Sequence, residues 1–276
     1  LGDVYKRQPY IQGVQSCGVA ACVKHFALNN QEYDRFGIDV EVSDRALYEI
    51  YLPAFKAAVQ RGEAWAIMGS YNLYRGQHCC HNQRLLNDIL RGEWGFDGVV
   101  VSDWGGVHNT REAAYNGLDM EFGTGTDGLS VSASDAYNHY FLARPFLEQI
   151  KAGVIPESVV DGKVRNILRM MFRTTMNPNR PYGSFEDPAH GEAARQIAEE
   201  GIVLLQNRDN VLPIQLEKIR KILVVGENAI KMMTVGGGSS SLKAWYEVSP
   251  LEGLRARIGD VAEVVYARGY ASPDPP

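Results

Sequence analysis

Short runs of apolar and β-branched residues alternate along the chain with stretches whose apolar positions recur every three or four residues. That is the pattern of βα units building a parallel sheet. The first run, residues 19–26, ends in Lys24-His25-Phe26 and passes into the polar Asn29-Asn30-Gln31-Glu32, so it reads as a strand followed by a functional loop. Ser43 is placed to cap a helix in which Leu47, Ile50, Tyr51, Ala54, Phe55, Ala58 and Val59 share one face up to a stop at Gly62. Strands are expected over 64–71 and 98–102, with a helix over 85–90 between them. Another helix over 110–116 precedes a short apolar run near 118–122 and a Gly/Ser/Thr-rich loop over 123–134.

Residues 136–176 are helical in pattern, and Met176-Asn177-Pro178-Asn179-Arg180-Pro181-Tyr182-Gly183 breaks that pattern with proline and glycine. The expected division is a first domain over 1–176, a linker over 177–190 and a second domain over 191–276. In the second, a helix over 191–207, a strand over 222–226, the loop Gly236-Gly237-Gly238-Ser239-Ser240-Ser241, a helix over 251–258 and a strand over 263–266 begin another α/β domain. Residues 1–8 do not fit the pattern. The chain opens on Leu1 and closes on Ser272-Pro273-Asp274-Pro275-Pro276, so both ends read as cuts through a longer protein.

Composition narrows the function classes. With 45% hydrophobic and 22% charged residues the chain has the balance of a globular protein, and its formal net charge of −5 offers no basic stripe for nucleic acid. No uninterrupted apolar run has bilayer-spanning length, so no membrane partner is expected. The four cysteines, Cys17, Cys22, Cys79 and Cys80, form neither a CxxC pair nor a disulfide framework and read as small buried thiols; no metal site and no cofactor are implied.

Candidate chemistry gathers at strand ends. Asp103 follows the apolar run over 98–102 and precedes Trp104-Gly105-Gly106, where the strands of a β/α barrel open onto its active face. Capping a helix is the plainer reading of one such Asp. An adjacent indole, however, provides a platform for a sugar ring, and glycoside hydrolysis needs a carboxylate on one face of the bond and an acid on the other. Lys24 and His25 close another strand, where they can donate to substrate hydroxyls. Arg35, Tyr71 and Asn72 also follow strand ends and offer a guanidinium fork, a phenol and an amide. Each alone reads as structural; their recurrence at successive strand ends points to one pocket.

Val23-Lys24-His25-Phe26 with Asn29-Asn30-Gln31-Glu32, then Met68-Gly69-Ser70-Tyr71-Asn72, then Gly95-Phe96-Asp97-Gly98 leading to Val101-Ser102-Asp103-Trp104, resemble glycoside hydrolase family 3. Beyond the linker, Ala198-Glu199-Glu200-Gly201-Ile202-Val203-Leu204-Leu205-Gln206-Asn207 and Leu212-Pro213 are similar to the start of that family's second domain. The resemblance implies a partial (β/α)8-type barrel followed by the start of an α/β sandwich domain. It also implies a retaining, exo-acting β-glucosidase that works through a covalent glycosyl-enzyme intermediate. On that pattern Asp103 is the nucleophile, Lys24, His25, Arg35 and Tyr71 line the glycone site, Trp104 forms its apolar floor, and Ser239 or Ser240 matches a second-domain loop that touches substrate. The family's acid/base glutamate has no match here, Glu227 and Glu263 standing in the wrong place. The chain by itself is therefore expected to be inactive or nearly so, since loss of general acid catalysis forfeits roughly a hundredfold to ten-thousandfold.

Three rivals are weighed against this reading. A β-xylosidase of the same family is the alternative substrate class, differing by one hydroxymethyl group. A β-N-acetylglucosaminidase would carry Pro-Gly-His-Gly where Ala27-Leu28-Asn29-Asn30 stands. A nucleotide-binding module would need a GxGxxG or Lys-Ser/Thr phosphate loop, which residues 222–238 lack.

Overall fold

The computed structural model describes residues 2–123, 136–234, 241 and 243–270. They cluster into two compact units, residues 1–183 and 184–276.

In the first unit, α1 (Gly2–Ser16) leads to β1 (Cys22–Phe26), and α2 (Asp44–Ala46) and α3 (Pro53–Gln60) lead to β2 (Ala66–Gly69). A short hairpin, β3 (Leu73–Tyr74) and β4 (Gln77–His78), a turn over Cys79–His81 and a helix over Gln83–Glu93 then reach β5 (Val99–Val101). After it come α4 (Thr110–Tyr115), α5 (Arg144–Lys151) and α6 (Ser158–Arg173). The sheet order is β1-β2-β5, all parallel, with Cys22 opposite Ala66 and Ile67 opposite Val100. A parallel bridge from Val101 to Met120 carries the sheet one segment further. This is an arc of a (β/α) barrel; no closed barrel forms among the described residues.

Parallel strands are covered on both faces, which is why they read as continuous apolar runs. Every residue of β2 and β5 is buried. Leu85, Leu86, Ile89 and Leu90 form one face of the Gln83–Glu93 helix and are fully buried against Phe26, Ile67 and Val100. Each such side chain stabilises the fold by about 1.5–3 kcal/mol. Asn82 starts that helix by accepting from Leu85 N at 3.0 Å, and its amide is held in turn by Tyr74 O at 2.7 Å.

Several expected elements are shorter or divided. The single helix from Ser43 to Gly62 is split at Pro53, which has no N–H to donate. Ahead of it Leu52 N reaches back to Leu47 O in a π-type turn over Leu47–Tyr51, and α3 restarts with Pro53 in its first turn. The helical pattern over 136–176 is divided in the same way, with Gly153 at φ +70° between α5 and α6. Residues 2–8 continue into one helix with 9–16, where Gln15 anchors α1 by donating to Glu63 O and accepting from Trp65 N, each at 2.9 Å. Cys79 and Cys80 are buried as expected, whereas Cys17 and Cys22 are exposed.

In the second unit, α7 (Pro188–Gly201) is capped by Asp187 and closes at Gly201, short of the expected 207. β6 (Lys221–Val225) and β7 (Glu263–Ala267) pair in parallel, joined through α8 (Pro250–Ile258), whose N-terminus carries a Ser249–Glu252 capping box. Ser239 and Ser240 lie outside the described residues.

Candidate active site

Because β1, β2 and β5 run parallel, their C-terminal ends share one edge of the sheet, and the polar residues that follow each apolar run are brought together there. β5 delivers Asp103, which is only 9% exposed. Its Oδ1 accepts from the Trp104 backbone N–H at 2.8 Å, and its Oδ2 lies 3.3 Å from Nε2 of His25 on β1. The Tyr71 hydroxyl, two residues beyond β2, stands close enough to the same carboxylate for its proton to be drawn toward it. Three strands thus each contribute a group to one carboxylate.

The side-chain groups facing this carboxylate are held in their neutral forms. Burial pushes the Tyr71 phenol up to about 12, and the Asp103 carboxylate adds to the rise, so the phenol keeps its proton. Burial also pushes the His25 imidazole below its ordinary value, against the pull of Asp103, leaving it uncharged near neutral pH. Among the described residues no Lys or Arg lies in ion-pair contact with Asp103.

The remaining expected residues stand around this core. Arg35 lies in the loop after β1 with its guanidinium carbon 4.4 Å from the centre of the Tyr71 ring, and one of its nitrogens pairs with Glu32. Phe36 meets the same phenol at 4.5 Å in a tilted contact, with the Arg35 guanidinium also 5.1 Å from the Phe36 ring. Lys24 is exposed and acts on His25 through space. Trp104 is 57% exposed and stacks on Phe122 at 5.2 Å with an interplanar angle of 15°. The turn beneath the indole needs glycine. Gly105 has φ +76°, Gly123 has φ +62°, and a Cβ on Gly123 would run into the Trp104 ring. Asn72 is not available to a ligand. It is fully buried, and its amide is taken up by Ser70, Leu73 O and Cys79.

Sequence reasoning passed over several residues that set this geometry. Asp119 accepts from Val100 N at 2.7 Å, from Arg91 at 2.7 Å and from Asn166 at 2.9 Å, fastening the strand that carries Asp103. Glu121 receives the backbone N–H groups of Phe141 and Leu142 at 3.1 and 2.7 Å. Their signal was present in Leu118-Asp119-Met120-Glu121-Phe122, an alternation of apolar and acidic residues directly after α4. Among the described residues no group of three His, Cys, Asp or Glu side chains can hold a metal, and no helix is long and apolar enough to cross a membrane.

A model described as the glycosyl hydrolase family 3 N terminal domain matches residues 7–170, and one described as the glycosyl hydrolase family 3 C-terminal domain matches residues 202–273. Beta-glucosidase BoGH3A of Bacteroides ovatus is 53% identical over 272 residues, which are 97% of this chain and 36% of that protein. The crystal structure of a beta-glucosidase from Kluyveromyces marxianus in complex with glucose superimposes with a TM-score of 0.82 at 36% identity, covering 97% of this chain and 31% of that one. Beta-glucosidase 3B from Thermotoga neapolitana in complex with glucose gives 0.81 at 35% identity, covering 94% and 34%. The chain therefore spans about a third of the length of the relatives it matches.

Proposed function

The chain belongs to glycoside hydrolase family 3, and from that premise we propose that it carries the nucleophile and much of the glycone site of a retaining, exo-acting β-glucosidase. The observation that supports this most directly is the Asp103 carboxylate, held by Trp104 N, Tyr71 and His25 at the open edge of the sheet beside an exposed indole.

In the proposed reaction an Asp103 oxygen attacks the anomeric carbon of a terminal β-D-glucosyl residue. The C1–O bond to the aglycone breaks, an acid protonates the departing oxygen, and a C1–Oδ ester forms. Water then attacks C1 as the same acid, now a base, takes its proton; the ester bond breaks and the carboxylate is restored. Tyr71 and Trp104 N hold the carboxylate oriented while its charge is consumed and returned. Arg35, Lys24 and His25 supply donors for sugar hydroxyls, and Trp104 supplies the apolar platform. Ser239 belongs to the same proposal as a substrate contact from the second unit, and residues 177–190 are taken as the linker. No residue of this chain is assigned as the acid.

The test is intact mass after incubation with a 2-deoxy-2-fluoro-β-glucosyl donor whose leaving group needs no acid, with circular dichroism as a control for folding. One glycosyl adduct, absent from Asp103→Asn, is the expected result. A folded protein that forms no adduct, or an adduct that persists in Asp103→Asn, overturns the assignment.

A further inference from the structure

Beside the carboxylate site lies a group of three histidines that the proposed reaction does not use. His78 ends β4, His81 closes the turn over Cys79–His81, and His108 stands on the far side of the Asp103-Trp104-Gly105-Gly106 turn. His81 is 1% exposed, and its Nε2 accepts the backbone N–H of His108 at 3.1 Å. An accepting Nε2 places the proton of a neutral ring on Nδ1. That nitrogen lies 2.8 Å from Glu112 Oε2 without meeting hydrogen-bond geometry. The His81 backbone is fixed as well, its carbonyl receiving the Asn116 amide at 2.9 Å.

The turn that carries His81 touches both arms of the site. Its Cys80 thiol donates to Ser70 O at 3.4 Å, next to Tyr71, and sits so close beneath Gly106 that a Cβ there would overlap the sulfur. His78 places Nδ1 3.0 Å from the Tyr71 carbonyl and stacks on the His108 ring at 3.8 Å with an angle of 23°. The segment after β2, which presents Tyr71, and the loop after β5, which presents Asp103, are therefore fastened to one support.

The geometry points to His81 as a positioning residue for the proposed nucleophile. Its Nε2 lone pair holds the backbone that follows Asp103 and thereby sets the angle of the carboxylate toward Tyr71 and His25. The inference rests on the assignment of Asp103 as the nucleophile. Burial keeps the support in its accepting form, pushing His81 down to about 3 and His108 to about 4. A histidine that merely filled space would be replaceable by any side chain of its volume; one that works through its lone pair needs an acceptor at the Nε2 position.

The experiment uses the complete reading frame that contains this chain. It measures melting temperature, steady-state turnover of 4-nitrophenyl β-D-glucoside and the rate of trapping by 2-deoxy-2-fluoro-β-glucosyl fluoride. His81→Leu keeps the volume and removes the acceptor, whereas His81→Gln returns an amide oxygen near the place of Nε2. In His81→Leu, kcat and the trapping rate are expected to fall about tenfold to a hundredfold, the scale of a small misplacement of a reacting group, with KM within about threefold and most of the loss recovered in His81→Gln. Unchanged rates in His81→Leu overturn the role, and so does a His81→Gln variant as slow as His81→Leu. If His81→Leu does not fold, His81→Asn takes its place, because its shorter amide reaches only the Nδ1 position: a slow Asn beside a fast Gln sustains the role, and equal rates overturn it. A wild-type trapping rate in Asp103→Asn would overturn the nucleophile assignment and the role of His81 with it.

Discussion

Two strands of this molecule, β5 and β6, end in the same way. Each is an apolar run, Val99-Val100-Val101 and Ile222-Leu223-Val224-Val225, followed by one small residue and then a carboxylate that the fold buries, Asp103 at 9% exposure and Glu227 at 6%. Their partners differ in kind. Glu227 is paired with Lys231 at 2.7 Å and with Arg268 at 3.6 Å, so its charge is neutralised where it stands. Asp103 is met by a phenol, a backbone N–H and an imidazole that burial keeps neutral, so its charge is oriented without being cancelled. A carboxylate at a strand end is thus a common product of parallel-sheet geometry. What suits one of them to the proposed role of nucleophile is a set of donors that leaves its charge available.

The most severe test of that contrast replaces both acids in the complete reading frame. Asp103→Asn is expected to lower turnover of an activated β-glucoside by roughly ten-thousandfold or more with little change in melting temperature. Glu227→Gln is expected to leave turnover within about threefold and to lower stability by about 1–3 kcal/mol, by stranding two partly exposed cations, as a melting curve would show. Exchange of the two outcomes would break the comparison.

A finer test touches one donor. Tyr71→Phe removes the phenol's hydroxyl and keeps its packing against Arg35 and Phe36, so kcat is expected to fall about a hundredfold to a thousandfold, in the range found for single donors to a reacting oxygen. A change in KM alone would mean that the phenol serves the sugar rather than the carboxylate.

The smallest expected effect concerns acid. His81 and His108 have folded values near 3 and 4, well below the ordinary 6.5, so the unfolded chain takes up protons first as pH falls. Their contribution to stability is present above about 6.5 and is lost progressively as pH falls from there toward 4, with no dependence on these groups at higher pH. Melting temperature measured between pH 4 and 8 should show that slope, and His81→Gln should flatten part of it.

Much of the sheet was legible because strands covered on both faces must be apolar throughout, and their C-terminal ends must be polar where a site opens. That reasoning reached Tyr71, Asp103 and Trp104 from their places after such runs, and Lys24 and His25 from the end of β1, a strand that is only partly covered. It did not separate Tyr71 from Asn72, since neighbouring residues at a strand end point opposite ways and only the structure shows which one faces inward. The break at Pro53 was visible in the residue itself but was outweighed by the amphipathic spacing around it. His81 and His108 had no signal at all. Each is an isolated polar residue in a loop, and their contact joins positions 27 apart in the chain, a separation that no local period encodes.

The glycine beneath Trp104 carries a consequence for how such a protein could diversify. Gly123 leaves no room for a β-carbon against the indole, and its backbone adopts a left-handed angle that other residues resist. The tilt of the aromatic platform is therefore governed by a position that offers no side chain to any ligand. A single-carbon change there would force the indole off Phe122 and reshape the mouth of the site while every residue around Asp103 stayed the same. The floor of the proposed glycone site is thus shaped in part by a position that itself touches no ligand.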